Sequence, residues 1–590
     1  MKKKLIFTLR NVDIRGKDKY VLLNSPNSFL IKKKFNNEFF YSKRWKYPKN
    51  INKDFEYLNE IYERILTHLA KFLNTYHDVN FTKQYWRVIL GTWLYRFICV
   101  VFERWNSLKE VNSKYKKINI NFLKYNSEDF IPYGIEDFSY FTQTDSWNSY
   151  IFFELINNFK FNSIDKEYTN EKLLFKDVKE IYRRLSLGNN NNKKRIFNNL
   201  QKFLSKNNKN LNYLIFNTYL SNLEEIKINL KLNKKLVLFK SLKFVDLYIN
   251  LLSSNKKLSN KRAIDNKVIT NNFNDFLFKF CKKNIPKCYL EYFDLTGNAL
   301  KKFELPKKPK VIFSTLGVGR STIMDRYTAG KVKSGTKLVL GQHGGNYGQH
   351  KVHWGTIHEH KISDRFFSWG FKYGIKTKPL GIIKKIEKIK FNKKNKLIVF
   401  EFRSRGLYSQ ALKIDAGAIN NKIYMQNICK FFLNLNNKEI LANLRVKLHP
   451  IDFGLEDKKF LLESNNKIKF LNPKQGTKNL YNKAKLVIHT FASTGHLECM
   501  ACNIPMLILF VNDMSLLEHD TRKFFNEFKE IGILHDNPIS LSKMLKKISK
   551  DPGKWWFSNK IQLIRKKYVD EFGILNQNLV ADIVQNLRKI

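Results

Sequence analysis

Cysteine is scarce. The chain has six in 590 residues, at positions 99, 281, 288, 429, 499 and 502, with no framework spacing. That excludes a disulfide-stapled secreted scaffold and points to a reducing compartment. Cys499 and Cys502 form a lone CxxC within a helical pattern and read as small core residues. Long apolar runs are missing too. No stretch reaches ~18 apolar residues without a charge, so no ordinary transmembrane helix is expected. The nearest, VILGTWLYRFICVVF at 88–102, is interrupted by Arg96 and reads as a buried helix. The N-terminal MKKKLIFTLRNVDIRGK has too short an apolar run for a secretory signal. The expected location is cytoplasmic, with any membrane contact peripheral at the inner face.

Acidic residues are also few: Asp+Glu 51 against Lys+Arg 107, a formal charge of +56. The basic residues are spread along the whole chain, among abundant Lys, Asn, Ile and Phe, and form no single patch. The excess reads chiefly as compositional drift, with a contribution at an anionic membrane surface. No nucleic-acid-binding module is visible, so nucleic acid is not expected as a partner.

Against these absences, hydrophobic residues make up 43% and aromatics 14%. That is ample for large cores, and the length implies two or three domains. LIFTL near the N-terminus looks like a buried strand. Helical periodicity runs from about 54 to 105, with Leu58, Ile61, Ile65, Leu69 and Phe72 on one stripe. Residues 106–300 read as mostly helical, with LNYLIFN at 211–217 a candidate strand. From 309 the texture changes. PKVIFSTLGVG, TKLVLGQHGG and DRFFSWG are strands running into polar or Gly-rich turns. After a basic linker at 374–396 come KLIVFEF, a helix over roughly 408–436, RVKLHP, KIKFL, KLVIHT and PMLILFV. Strands so spaced, with helices between, imply parallel α/β sheets. The expected fold is α/β: two Rossmann-like domains facing each other, GT-B-like, with a large helical portion in the N-terminal half. The division is 1–380 as an acceptor-side domain, 381–395 as linker, 396–550 as a nucleotide-binding domain and 551–590 as a C-terminal helix packing back.

Ligands sit at the carboxyl ends of strands in open parallel sheets, and the polar clusters lie there. HTFASTGHLECMACNIP, 489–505, carries Ser493, Thr494 and Gly495 at the start of a helix, where free N–H groups and the dipole favour a nucleotide phosphate. Glu498, one turn on, could accept from ribose hydroxyls. Ordinary capping by Ser or Thr is the plainer explanation. His449, in KLHP, stands at a strand end and could donate to a departing phosphate. In QHGGNYG, Gly344 and Gly345 beside Gln342 allow close backbone approach, and His343 would face the cleft as a general base. Glu359 or Asp364, in IHEHKISDRFFSWG, could orient His343 or replace it. Arg403 and Arg405, in RSRG, could clamp phosphate. His77 and Arg87 could line an acceptor site, although a helix so aromatic is more often core. The spacings of His350, His353, His358 and His360 match no standard zinc pattern, so no metal and no resident cofactor are expected.

Together QHGGNYG, the HE and ISDRFFSWG after it, HPIDFG, TFASTGHLE and KQYWRVILGTWL resemble a family of bacterial transferases associated with surface-polysaccharide synthesis. The likeness runs nearly end to end. More distantly, QHG, HP and a Ser/Thr-rich loop before a Glu are similar to capsule Kdo transferases and CDP-glycerol polymerases, although the longer Gly-rich loop departs from the capsule pattern. The resemblance implies a metal-independent transfer of a sugar or ulosonic acid from a nucleotide-activated donor, CMP- or CDP-linked, to a glycan or lipid-linked acceptor. His343 would lie near the transferring carbon, His449 on the donor phosphate, and Ser493, Thr494 and Glu498 on phosphate and ribose. A nucleotide-sugar 2-epimerase-like enzyme and a non-catalytic polyanion- or membrane-surface-binding protein are the alternatives.

Overall fold

The computed structural model describes residues 3–590 apart from 8–18, 25–37, 174–209, 240–258, 263–271, 302, 304, 385–390, 404–405, 407, 409 and 451–454. Within it the apolar runs form three parallel sheets. The first holds β1 (Lys3–Ile6), β2 (Lys19–Leu23), β3 (Glu38–Phe40), β4 (Ile118–Lys124) and β5 (Ile164–Lys172), in the order β3-β2-β1-β4-β5. The second holds β6 (Tyr213–Ile215), β7 (Val311–Ser314), β8 (Lys337–Gly341), β9 (Arg365–Ser368) and β10 (Thr377–Pro379), in the order β10-β9-β8-β7-β6. The third holds β11 (Leu397–Glu401), β12 (Leu444–Lys447), β13 (Lys469–Phe470), β14 (Ala484–His489), β15 (Met506–Leu509) and β16 (Leu534–His535), in the order β13-β12-β11-β14-β15-β16.

The central strands of the second and third sheets, VIFS, LVLG, LVIH and MLIL among them, are buried on both faces. That is what helices on both sides of a parallel sheet require of the sequence. In the third sheet the strand order reverses between β11 and β14, so the loops after these two strands diverge and open a crevice at their carboxyl ends. The second and third sheets face each other through their strand ends, the GT-B-like arrangement expected.

Two long helices pack over these ends. α1 (Pro48–His77) is amphipathic and buries Leu58, Ile61, Ile65 and Leu69. α2 (Lys83–Lys114) is buried almost all round, including 89% of its most apolar window. It is long and apolar enough to cross a membrane, yet here it is a core helix. It packs on α1, on helix Asp145–Asn158 beside the first sheet, and on helices Thr322–Lys333 and Trp354–Ile362 beside the second.

The first sheet is the main departure from the sequence reading, which made residues 106–300 mostly helical. β5, IDKEYTNEK, is an edge strand, half-exposed to exposed along most of its length, and carries no apolar alternation. β4 and β5 are tied by a polar cross-strand pair, Asn119 Nδ2 donating to Glu167 Oε1 at 2.7 Å. Strands held by polar pairs do not announce themselves by hydropathy. Two smaller corrections follow. The helix read over 408–436 spans Ala418–Leu433, beginning after Gly417 at φ 90°, and part of the 374–396 linker is strand β10, paired with β9.

The C-terminal helix Asn559–Phe572 lies against the second sheet. Ile574 N–H donates to Trp369 O at 2.9 Å, and a Cβ on Gly370 would stand 2.4 Å from Glu571 O. Gly370→Val should therefore push this helix off its seat and lower stability by about 1–3 kcal/mol. Calorimetry should show a lower Tm, and an unchanged Tm would contradict this packing.

Candidate active site

The loop after β8 is shaped before it meets any ligand. Trp369 holds Gln342 twice, its N–H donating to Gln342 Oε1 at 2.7 Å and its Nε1–H to Gln342 O at 3.0 Å. Gln342 Nε2 in turn donates to Gly344 O at 2.7 Å. Gln342 is thus a buried brace. The braced loop presses Gly345 against the first turn of helix Thr494–Ala501, where Gly345 N–H donates to Thr494 Oγ1 at 3.2 Å. A Cβ on Gly345 would sit 2.4 Å from Ser493 C and 2.7 Å from Thr494 N, so only glycine permits this approach. Gly344 lies slightly further off, its Cβ position 3.6 Å from Thr494 Oγ1. The strand-end loops of the two facing sheets meet here, backbone to backbone.

Beside this contact lies a cavity of about 520 Å³, walled by both sheets and by α2. Arg96 comes from α2, Arg320 from the loop after β7, and Arg403 and Lys413 from the segment after β11. One carboxylate, Asp415, faces these four cations. Burial opposes its ionisation, but Lys413, Arg403 and His350 prevail and bring it down to about 2. Arg403 is held rigidly: Nη1 donates to Asp415 at 2.6 Å, Nη2 to Asn421 at 2.9 Å, and the guanidinium stands 4.2 Å over the Tyr424 ring. Its buried Nε has no partner, nor do Asn346 Oδ1 and His350 Nε2 in the same wall. Ser493 also lines the cavity and caps helix Thr494–Ala501 without a side-chain hydrogen bond. Several cations, the unmet Arg403 Nε–H and an uncapped helix start together favour an anion.

His343 borders this space through Arg320. Arg320 Nη2 stands 3.2 Å from His343 Nε2, and the Tyr347 hydroxyl 3.0 Å from Nδ1. Tyr347 donates to Glu359 Oε1 at 2.8 Å, and His343 Nδ1 is 3.7 Å from the same oxygen. Arginine only donates, so Nε2 carries the lone pair and Nδ1 the proton. The order is then Arg320, imidazole, phenol, carboxyl. Burial, with the charge of Arg320, pushes His343 down to about 3. Burial pushes Glu359 up to about 8 against the Tyr347 hydrogen bond and Arg320. At neutral pH the imidazole is uncharged and Glu359 is mostly protonated.

Other expected site residues fall elsewhere. Thr494 is taken by Gly345, and Gly495 is packed against Glu401, Tyr481 and His489 beneath the helix. Glu498 is buried and paired with Lys384 instead of open to a ribose. His449 is exposed after β12, one strand outside the crevice, and does not line the cavity. Asp364 lies at the opposite end of its sheet. It precedes β9 and accepts from Leu338 N–H at 2.9 Å, closing the amino ends of β8 and β9, so it cannot orient His343. Arg87 is clamped to Glu63 at 2.6 and 2.8 Å. His77 stacks on Phe293 and bonds Tyr289 O at 3.0 Å. Both are structural. Arg405 lies outside the described residues. Among the described residues no group of three His, Cys, Asp or Glu is arranged to hold a metal ion.

The sequence reading missed Arg320, Tyr347, Arg96, Lys413 and Asp415. Arg320 follows directly on STLGVG, whose strand-to-turn signal stops one residue before it. Tyr347 stands inside QHGGNYG and passes for a turn residue. Arg96 passes for an interruption of an apolar helix.

The site has a titration signature. Burial lowers His343, His353 and His358 to about 3, and His350 and His360 to about 4. Below about 6.5 the unfolded chain protonates these imidazoles and the folded chain does not. They therefore destabilise the fold progressively as pH falls from about 6.5 toward 4. Glu359 and Glu136, raised to about 8 and 7, act in the opposite sense but are fewer. Denaturant midpoints should drop between pH 6.5 and 4.5. His358, whose buried ring nitrogens have no partner, should contribute up to about 1.4 kcal/mol per pH unit. His358→Phe should flatten the profile, and an identical profile would contradict the burial of an uncharged imidazole.

Comparison with known proteins places these observations. Residues 15–587 match the family model described as LIC12162 family transferase. No curated protein matches in sequence. Similar solved structures include UDP-GlcNAc 2-epimerase from Neisseria meningitidis (12% identity, 64% of this chain and 99% of that chain, TM-score 0.33). MurG from Acinetobacter baumannii (9%, 64% and 99%, TM-score 0.33) is another, as is a point mutant of O-GlcNAc transferase from Thermobaculum terrenum (8%, 90% and 97%, TM-score 0.32). Scores and identities this low say nothing about chemistry.

Proposed function

The chain belongs to the LIC12162 family of transferases, and from that premise we propose that the cavity beside Gly345 and Ser493 is where a nucleotide-activated sugar or ulosonic acid gives up its glycosyl group to an acceptor hydroxyl. The observation that carries the reading is the cluster of Arg96, Arg320, Arg403 and Lys413 around one Asp, beside an uncapped helix start. A phosphate leaving group is the anion this wall suits.

In the proposed step the bond from the anomeric carbon to the phosphate oxygen breaks, and its electron pair stays on the phosphate. The guanidiniums and helix N–H groups stabilise the charge that develops; one such donor is worth about 2.7–4 kcal/mol. The acceptor oxygen forms the new bond to the anomeric carbon. Its proton passes to His343 Nε2, while Nδ1–H is held by Tyr347 and, through it, Glu359. Arg320 occupies Nε2 and, with burial, depresses its basicity. A bound phosphate draws that guanidinium away and offsets its charge, so the base is freed and strengthened only when donor is present. No step falls to His449 or Asp364. The acceptor in this reading is a surface glycan or lipid carrier, and the charge of +56 favours residence beside anionic lipid.

The test is a thermal-shift screen with CMP-, CDP-, UDP- and GDP-linked sugars, followed by turnover with and without added acceptor. A donor at 100 times its Kd should stabilise the protein by about 2.7 kcal/mol. Arg320→Gln, at an exposed position, should fold normally and lose most of that shift. His343→Gln should keep the shift and lose turnover by about 10²–10⁴-fold. Turnover of the donor without acceptor would mean an epimerase instead. No shift with any donor, or full activity in both variants, would contradict the proposal.

A further inference from the structure

The first sheet, which the transfer site does not use, has a cavity of its own at its carboxyl edge. It measures about 590 Å³ and shares no lining residue with the cleft. Its floor is the end of β4 and the turn after it, from Phe122 to Ser127; β5 and helix Asp145–Asn158 supply the walls.

Two features set it apart from an ordinary surface hollow. The first is aromatic. Tyr168 stands 72% exposed on the edge strand, with its ring 5.5 Å from Phe122, which is 6.3 Å from Tyr125. Most large rings in this chain are buried, and leaving one in water beside a cavity costs apolar burial that a ligand would recover. The second is the balance of charge. Glu154 is already matched, accepting from Lys283 Nζ at 2.8 Å and from the Tyr125 hydroxyl at 3.2 Å. Lys166 is spent on Asn157 Oδ1 at 2.8 Å and Lys124 on Asn170 Oδ1 at 3.3 Å. Glu154 and Lys283 thus neutralise each other, and Lys124 and Lys166 are held at the rim by neutral amides, so no carboxylate is left unpaired toward a ligand. What faces a ligand is neutral and both donating and accepting: the Ser127 hydroxyl, the Asn157 Nδ2–H group that also reaches Tyr125 at 3.3 Å, and the Asn158 amide, whose Nδ2 is used on Glu154 O at 2.8 Å and whose oxygen is not.

Aromatic faces beside uncharged amides and hydroxyls match a molecule with apolar C–H faces and many hydroxyl edges. We propose that this cavity is a saccharide-binding site, remote from the cleft, that holds one or two neutral sugar residues of a glycan chain. Tyr168, backed by the buried Phe122 ring, provides the stacking face, and Asn157, Asn158 and Ser127 meet the hydroxyls. The proposal goes beyond the transfer reading and stands without it: a protein that turned out not to transfer sugar could still dock a glycan here.

The test is isothermal titration of the full chain with neutral hexasaccharides of different linkage: cellohexaose, maltohexaose, chitohexaose and xylohexaose. At least one should bind saturably. Tyr168→Ala, a surface change on an edge strand, should weaken that binding at least tenfold, Tyr168→Phe should retain it, and Asn158→Ala should weaken it severalfold. The nucleotide-sugar thermal shift should be the same in all three variants, which keeps failure here distinct from failure at the cleft. Binding that Tyr168→Ala leaves intact would overturn the proposal. So would the absence of binding by any of the four sugars, or binding lost in Arg320→Gln but not in Tyr168→Ala.

Discussion

A backbone contact between two loops holds the site together. Gly345, at the end of one sheet, touches Ser493 and Thr494, at the end of the other, at a distance no side chain would allow. Because both loops end parallel strands, the contact brings two sets of strand termini into one place. Gln342 and Trp369 fix the loop on one side. On the other, Gly495 seats the helix over Glu401 and His489, whose Nδ1 is 3.1 Å from the Glu401 carboxylate. The cavity is the space left beside this junction, so its shape follows from backbone geometry more than from any one polar group.

That enclosure sets the chemistry. Walls from two sheets and α2 bury several titratable groups, and these respond. Imidazoles become weaker bases, Glu359 a weaker acid, and Arg96 is brought down to about 10 by burial and by its neighbour Arg320. Four cations line this space with no counter-charge in its wall beyond Asp415. An incoming anion supplies what is missing, and its arrival changes the environment of His343 through Arg320. Binding and activation of the base are thereby one electrostatic event.

Much of this was legible in the sequence. Among the strands from 311 onward the short edge strands β10 and β16 were not, but the central ones were, because strands buried on both faces read as unbroken apolar runs. So were the strand-end positions of QHGG and STGH, since parallel topology places polar loops there. Of the first sheet only β1 was, because β4 and β5 join through polar pairs and β5 is an edge strand. Role assignment was harder still. Asp364 and His449 have the right chemistry, but one lies at the amino end of its strand and the other a strand too far out; hydropathy does not reveal which end of a pattern faces a cleft. Tyr347, Arg96 and Lys413 became visible only when three separate segments met in space.

The most direct test of the central claim is a crystal structure of the chain with the nucleotide-sugar that most raises its Tm. The account predicts phosphate oxygens within hydrogen-bonding distance of Arg320 and Arg403, beside the first turn of helix Thr494–Ala501, with Arg320 withdrawn from His343 Nε2. A donor bound away from this junction, or bound here with its phosphates turned from both arginines, would contradict it.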